Sequence, residues 1–208
     1  MARLTTPVRE QPLGDERCIA YAVAAGMETS ICRDRRTVVG VPEISVDDLF
    51  IEGGEEIGAI DGIKEAVEDG GVVDATCFPA AAAKRCANPA PHLWKCGIRA
   101  IGGPKNKRVE LMRTQLRTNG PIVALIKIFS NFVDFTGTGI YIPDGKKPSF
   151  HAVCVIGDEV EANGVPGHWI IKNSMGEDWG DAGFCRIQWH DPLVSLESVV
   201  FVVEKVHQ

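Results

Sequence analysis

Four polar residues of this chain have the types and the order that nucleophilic acyl chemistry requires: Gln11, Cys18, His151 and Asn173. A thiol attacks as thiolate and needs a base to take its proton, a task that suits an imidazole near neutral pH. The imidazole needs a partner on its second nitrogen, and an amide oxygen there fixes the tautomer and leaves the other nitrogen free. Attack on a carbonyl develops an oxyanion, for which the Gln11 side-chain amide and the Cys18 backbone N–H are candidate donors. Residues 150–187 organise the rest. His151 opens an apolar run through Ile156, and a second apolar run, 169–172, leads into Asn173. Asn163-Gly164 and Pro166-Gly167 are turn signals between the runs, so a hairpin can bring Asn173 beside His151.

The nucleophile needs an element of its own. Asp15 as N-cap, with Ile19, Val23 and Met27 on one face, predicts a helix over 15–31 that carries Cys18 in its first turn. Unpaired backbone donors and the macrodipole favour an anion there and lower a thiol pKa. A buried structural cysteine is the competing reading. Ser45 caps a short helix starting at 46, and 57–69 forms an amphipathic helix with Ile60, Ile63 and Val67 inward, stopped by Gly70-Gly71. Residues 74–104 read as a long surface connection whose Phe78, Leu93 and Trp94 need burial. A basic helix over 106–118 precedes strands at 122–128, 139–142, 150–157, 168–172, 184–189 and 199–206. Helices come first and strands after, an α+β layout with a mainly helical lobe 1–103 and a β-rich lobe 104–208. Groups drawn from both lobes meet in a cleft between them.

The 208 residues suffice for two packed lobes, and 45% hydrophobic with 24% charged residues excludes wholesale disorder. A net charge of -6 argues against nucleic acid and anionic membrane as partners, and no run is long enough to span a bilayer. No basic-plus-apolar leader is visible, and the seven cysteines, an odd number, suggest no disulfide framework. The expectation is a reducing, cytoplasmic setting. Cys77, Cys86, His92 and Cys96 can be grouped into a zinc site on paper, but without a CxxC pair they read as core or surface thiols. No metal or cofactor is expected.

Together these segments resemble the papain-like cysteine peptidases over nearly the whole chain. The resemblance rests on the lead-in Thr6-Pro-Val-Arg-Glu-Gln11, on Cys18-Ile-Ala-Tyr-Ala22 and on His151-Ala-Val. Its most specific block is Ile171-Lys-Asn-Ser-Met-Gly-Glu-Asp-Trp-Gly-Asp-Ala-Gly-Phe184. It implies a two-lobed fold with a β-barrel-like second lobe, and a protein or peptide substrate. It implies Cys18 as nucleophile, His151 as acid and base, Asn173 as ring orienter and Gln11 as oxyanion donor. On the substrate side it implies an apolar pocket at Leu125 and Ala152 for the second residue before the scissile bond. It implies Trp179 as a shield over the Asn173–His151 bond. The chain departs from the family in its loop 12–17, in Ile19 after the nucleophile and in Met175 within the asparagine block. Two alternatives stand beside hydrolysis of peptides: a pseudo-peptidase that only binds, and an acyltransferase or deamidase using the same triad.

Overall fold

Helix α1 (Cys18–Arg35) is buried almost all round from Ile19 to Cys32, with Glu28, Thr29 and Ser30 included. Its alanines keep it thin enough to be enclosed, and Gly26 lets it approach the sheet. A Cβ on Gly26 would stand 2.8 Å from Val203 Cγ2. The computed structural model describes residues 4–12, 14–54, 60–80, 82–160 and 166–208. Around α1 lie α2 (Val46–Glu52), α3 (Ile60–Glu65) with a π-turn at Ala66–Gly70, and the two-stranded pair β1 (Val72–Val73) and β2 (Leu93–Trp94). Ser45 caps α2 as expected, its hydroxyl accepting from Asp48 N at 3.2 Å.

The rest of the chain supplies β3 (Ile98–Ala100), α4 (Arg108–Thr118), β4 (Ile122–Ile128), β5 (Ser149–Glu159), β6 (His168–Lys172), β7 (Phe184–Gln188) and β8 (Val199–Val203). Six strands form one antiparallel sheet in the order β3-β8-β4-β5-β6-β7. Successive side chains of a strand face opposite ways, and β5 uses this to serve two cores. Ala152 joins α1, α2 and Trp94 in the first core, while Val153 and Val155 join Met112, Ile126, Phe132, Trp169 and Trp179 in the second. β4 runs antiparallel beside β5 with Leu125 opposite Ala152.

Four expectations need correction. The first helix starts at Cys18 rather than Asp15 and continues to Arg35, with no side-chain cap, because the Asp15 carboxylate is taken by the Arg17 backbone N–H and guanidinium. The helix expected over 57–69 is α at Ile60–Glu65 only and then widens into the π-turn, ending where Gly71 takes φ +79°. Residues 57–59 of that expectation, and the Asn163-Gly164 turn, lie outside the described residues. The segment 139–142 is not a strand: it makes a single parallel bridge, Ile140 with Arg186, because Gly139 and Pro143 bracket it too closely for a ladder. Cys77 and Cys86 form a disulfide with Cα atoms 4.8 Å apart, which overturns the reading of a chain without disulfides. Nine residues of separation gave no CxxC-like signal, yet the turn that follows Phe78 doubles the chain back, with Cys86 N donating to Cys77 O at 2.8 Å. The cysteine argument for a reducing compartment loses its basis with it. The same bond disposes of the four-residue zinc grouping, and no metal-binding cluster occurs among the described residues. His92 Nδ1 instead meets the Asp74 carboxylate at 3.2 Å.

Candidate active site

Asn173 lies just beyond β6, held by its backbone N–H donating to Gly183 O at 3.0 Å. That contact needs the tight turn that Gly183 makes at φ +85°, where a Cβ would run into Val8. The Asn173 Oδ1 atom sits between two groups: His151 Nε2 at 2.8 Å and the Ser174 backbone N at 2.9 Å. A backbone N–H can only donate, so the side-chain atom it meets is the oxygen, and Nε2 must carry the hydrogen that reaches the same oxygen. The neutral ring is thereby held with its lone pair on Nδ1. Asn173 Nδ2 is buried without a hydrogen-bond partner among the described residues. That costs roughly 1–3 kcal/mol, which makes sense if the residue is placed for its oxygen.

A cavity of about 280 Å³ is lined by Gln11, Cys18, Leu125, His151 and Ala152 together. Cys18 is half-buried at the first position of α1, and His151 is 7% exposed. Burial pushes the Cys18 thiol up from its ordinary value, outweighing hydrogen bonds from the Ala152 and Ile19 backbones, and the Asp15 carboxylate adds to the rise. Burial holds His151 down, against the Asn173 hydrogen bond. Both shifts favour thiol and neutral imidazole. The helix start that was expected to lower the thiol is thus overridden by desolvation.

Gln11 is pinned at three points. Its backbone N–H donates to Ser174 O at 2.6 Å, its Oε1 accepts from Ser174 Oγ at 2.8 Å, and its Nε2 donates to Asp15 O. One of the two amide hydrogens is therefore spent on the loop that departs from the family pattern. Behind the site a buried charge network ties the N-terminal lead-in to both lobes. Glu28 accepts from Arg9, from Thr6 Oγ1 at 2.5 Å and from Ile44 N at 2.9 Å. Lys172, next to Asn173, is 3% exposed and donates to Thr6 O and Thr6 Oγ1, both at 2.9 Å.

Trp179 is buried, and its Nε1 donates to Phe132 O at 2.6 Å. The ring in edge contact with His151 is that of Phe132, at 5.8 Å, and Phe132 and Trp179 pack at 4.9 Å. Phe132 and Ser174 escaped the reading of the sequence. Ser174 was signalled only by its place after Asn173, whereas Phe132 lies in a loop after β4 whose course nothing local predicts.

The sheet, the enclosed helix and the Cys18-bearing cavity define the class. The model of the papain family of cysteine proteases matches residues 3–202, and the chain belongs to that family. It is 28% identical over 204 residues to Peptidase 1 of Dermatophagoides farinae, which covers 97% of this chain and 63% of that protein. It is 26% identical over 205 residues to Peptidase 1 of Euroglyphus maynei, with the same coverage, 97% and 63%. The chain thus spans a little under two thirds of the length of these curated relatives. A bromelain protease from Ananas comosus, solved with the E64 inhibitor, superposes with a TM-score of 0.75 at 21% identity, covering 97% of this chain and 94% of that one. Digestive procathepsin L 3 of the Tenebrio molitor larval midgut gives 0.75 at 16%, covering 97% and 67%. The two structures establish the papain-like fold.

Proposed function

We propose that this chain is a cysteine peptidase that hydrolyses peptide bonds through an acyl-enzyme on Cys18. His151 Nδ1 takes the thiol proton as the sulfur attacks the scissile carbonyl carbon, and the carbonyl electrons move to oxygen. That oxyanion rests on the Cys18 backbone N–H and the remaining hydrogen of Gln11 Nε2. Collapse expels the amine, which leaves with the proton from His151. A water molecule then gives a proton to Nδ1 and attacks the thioester, releasing the acid and returning the thiol. Asn173 holds the imidazole through every step, because its oxygen accepts from Nε2–H in both the neutral and the charged ring. The observation that carries this reading is the shared Asn173 oxygen, which fixes the proton on Nε2 and so leaves the Nδ1 lone pair free to act as base. Phe132 packed against the ring, with Trp179 packed on Phe132, supports a dry, stable bond there.

Leu125 and Ala152, opposite each other on β4 and β5 and both facing the cavity, support a subsite for an apolar side chain at the second residue before the scissile bond. A peptide library with mass-spectrometric product analysis tests both parts. Cleaved peptide bonds with an apolar bias at that position are expected. Cleavage without the bias removes the subsite, and ammonia release or amide exchange without cleavage replaces the peptidase with a deamidase or acyltransferase.

A further inference from the structure

The loop before α1 puts two acidic residues, Asp15 and Glu16, into the lining of the catalytic cavity, and the structure treats them differently. Asp15 is ion-paired: Arg17 holds it through Nε at 2.8 Å and through a terminal nitrogen at 2.6 Å, and this pairing drives its pKa below the ordinary value. Arg17 is itself anchored to Asp47 at 2.5 Å, so the pair is fixed against the helical lobe. Glu16 is exposed and has no hydrogen bond or ion pair among the described residues. The cavity lining contains no lysine or arginine, and burial keeps its one imidazole uncharged at rest. Glu16 is therefore the acidic residue of this lining left without a cationic partner among the described residues, and its charge adds to the negative field that Asp15 exerts on Cys18. Two residues of chain span at most about 7 Å, so its Cα lies no further from that of Cys18 than the ~8 Å screening length at physiological salt.

We propose that Glu16 is a specificity-determining residue that selects peptide substrates bearing a cationic side chain beside the scissile bond. The inference rests on the peptidase reading and adds a second, polar selection to the apolar one expected at Leu125 and Ala152. A solvated carboxylate without effect on substrate choice is the competing account. An exposed, partly screened charge pair limits the gain to about two- to fivefold, equivalent to about 0.4–1 kcal/mol at 1.4 kcal/mol per tenfold.

The test compares kcat/KM for peptide pairs that differ only by arginine against its uncharged isostere citrulline, placed in turn at each residue flanking the cleaved bond. Wild type, Glu16→Gln and, as a distant acidic control on α4, Glu110→Gln are measured at low and at physiological salt. The expected result is an arginine-to-citrulline ratio of two or more at one position, shrinking with salt, falling to about one in Glu16→Gln and kept in Glu110→Gln. A ratio of one at every position in wild type overturns the proposal and leaves the peptidase intact. A ratio that survives Glu16→Gln also overturns it. Absence of any cleavage by wild type overturns both readings.

Discussion

Replacing Asn173 by alanine removes one oxygen that two buried donors share, and the structure says what each loss costs. His151 Nε2–H and Ser174 N–H lose their acceptor, while the already orphaned Asn173 Nδ2 disappears. At about 1–3 kcal/mol per unpaired buried donor, two new orphans less one old give a net destabilisation of about 1–3 kcal/mol. The catalytic loss is separate. In the transition state of the proposed reaction the ring is an imidazolium, and a hydrogen bond to a charged group is worth about 1.5–3 kcal/mol, so kcat should fall about 10- to 150-fold. KM should change little, since the bond strengthens only when the ring is charged. Asn173→Asp keeps both acceptor contacts and should recover most of the stability. The assays are urea unfolding and steady-state hydrolysis of a peptide with an apolar second residue. A kcat for Asn173→Ala within twofold of wild type would refute the claim that this oxygen sets the ring's tautomer for catalysis.

Three further outcomes follow from the same contacts. Glu28→Gln removes the buried carboxylate that pairs with Arg9 and offsets the nearby Lys172 charge, and should lower stability by about 3–5 kcal/mol, visible as a lower urea midpoint at unchanged slope. An unchanged midpoint would mean the network is solvated. Cys77→Ala with Cys86→Ala opens a loop whose ends are nine residues apart and should cost about 2–3 kcal/mol in thermal or urea unfolding. A loss below measurement would show that the unfolded chain gains little freedom. His151 has a folded pKa below its ordinary 6.5, first because of burial, with the Asn173 bond partly offsetting it. The unfolded chain then binds a proton before the folded one, so this contribution to stability is complete above pH 6.5 and is lost as pH falls from there toward the folded value. His151→Gln should flatten that part of the stability curve, and an unaltered acid limb would place its origin elsewhere.

What was legible in the sequence was what periodicity and order carry. The run from His151 and the run into Asn173 read as paired strands, and they are β5 and β6, with the two side chains in contact. Ser45 and the strand at Ile122–Ile128 were equally local and equally readable. The misses lie in side-chain competition and in tertiary packing. Asp15 has the composition of a cap, yet its carboxylate is taken by the guanidinium and the backbone N–H of an arginine two residues away. Cys77 and Cys86 lie in an irregular stretch whose turn is set by packing of Phe78 and the Ser45 hydroxyl bond to its carbonyl, so their pairing left no periodic trace. Phe132 reaches His151 only because the chain after β4 folds back over the second core. Burial, likewise unreadable from position on a helix, decides the rest-state charge of Cys18 against the helix dipole.

The account depends on one proton passing between Cys18 and His151, and covalent trapping of the sulfur measures it directly. Wild type and His151→Ala would be treated with an epoxide thiol reagent across pH, with the label located by mass spectrometry. A single rapid label on Cys18, at least tenfold slower in His151→Ala while the buried Cys32, Cys96, Cys154 and Cys185 stay unlabelled, is the predicted result. Labelling of Cys18 at the same rate and with the same pH profile in both proteins would contradict it.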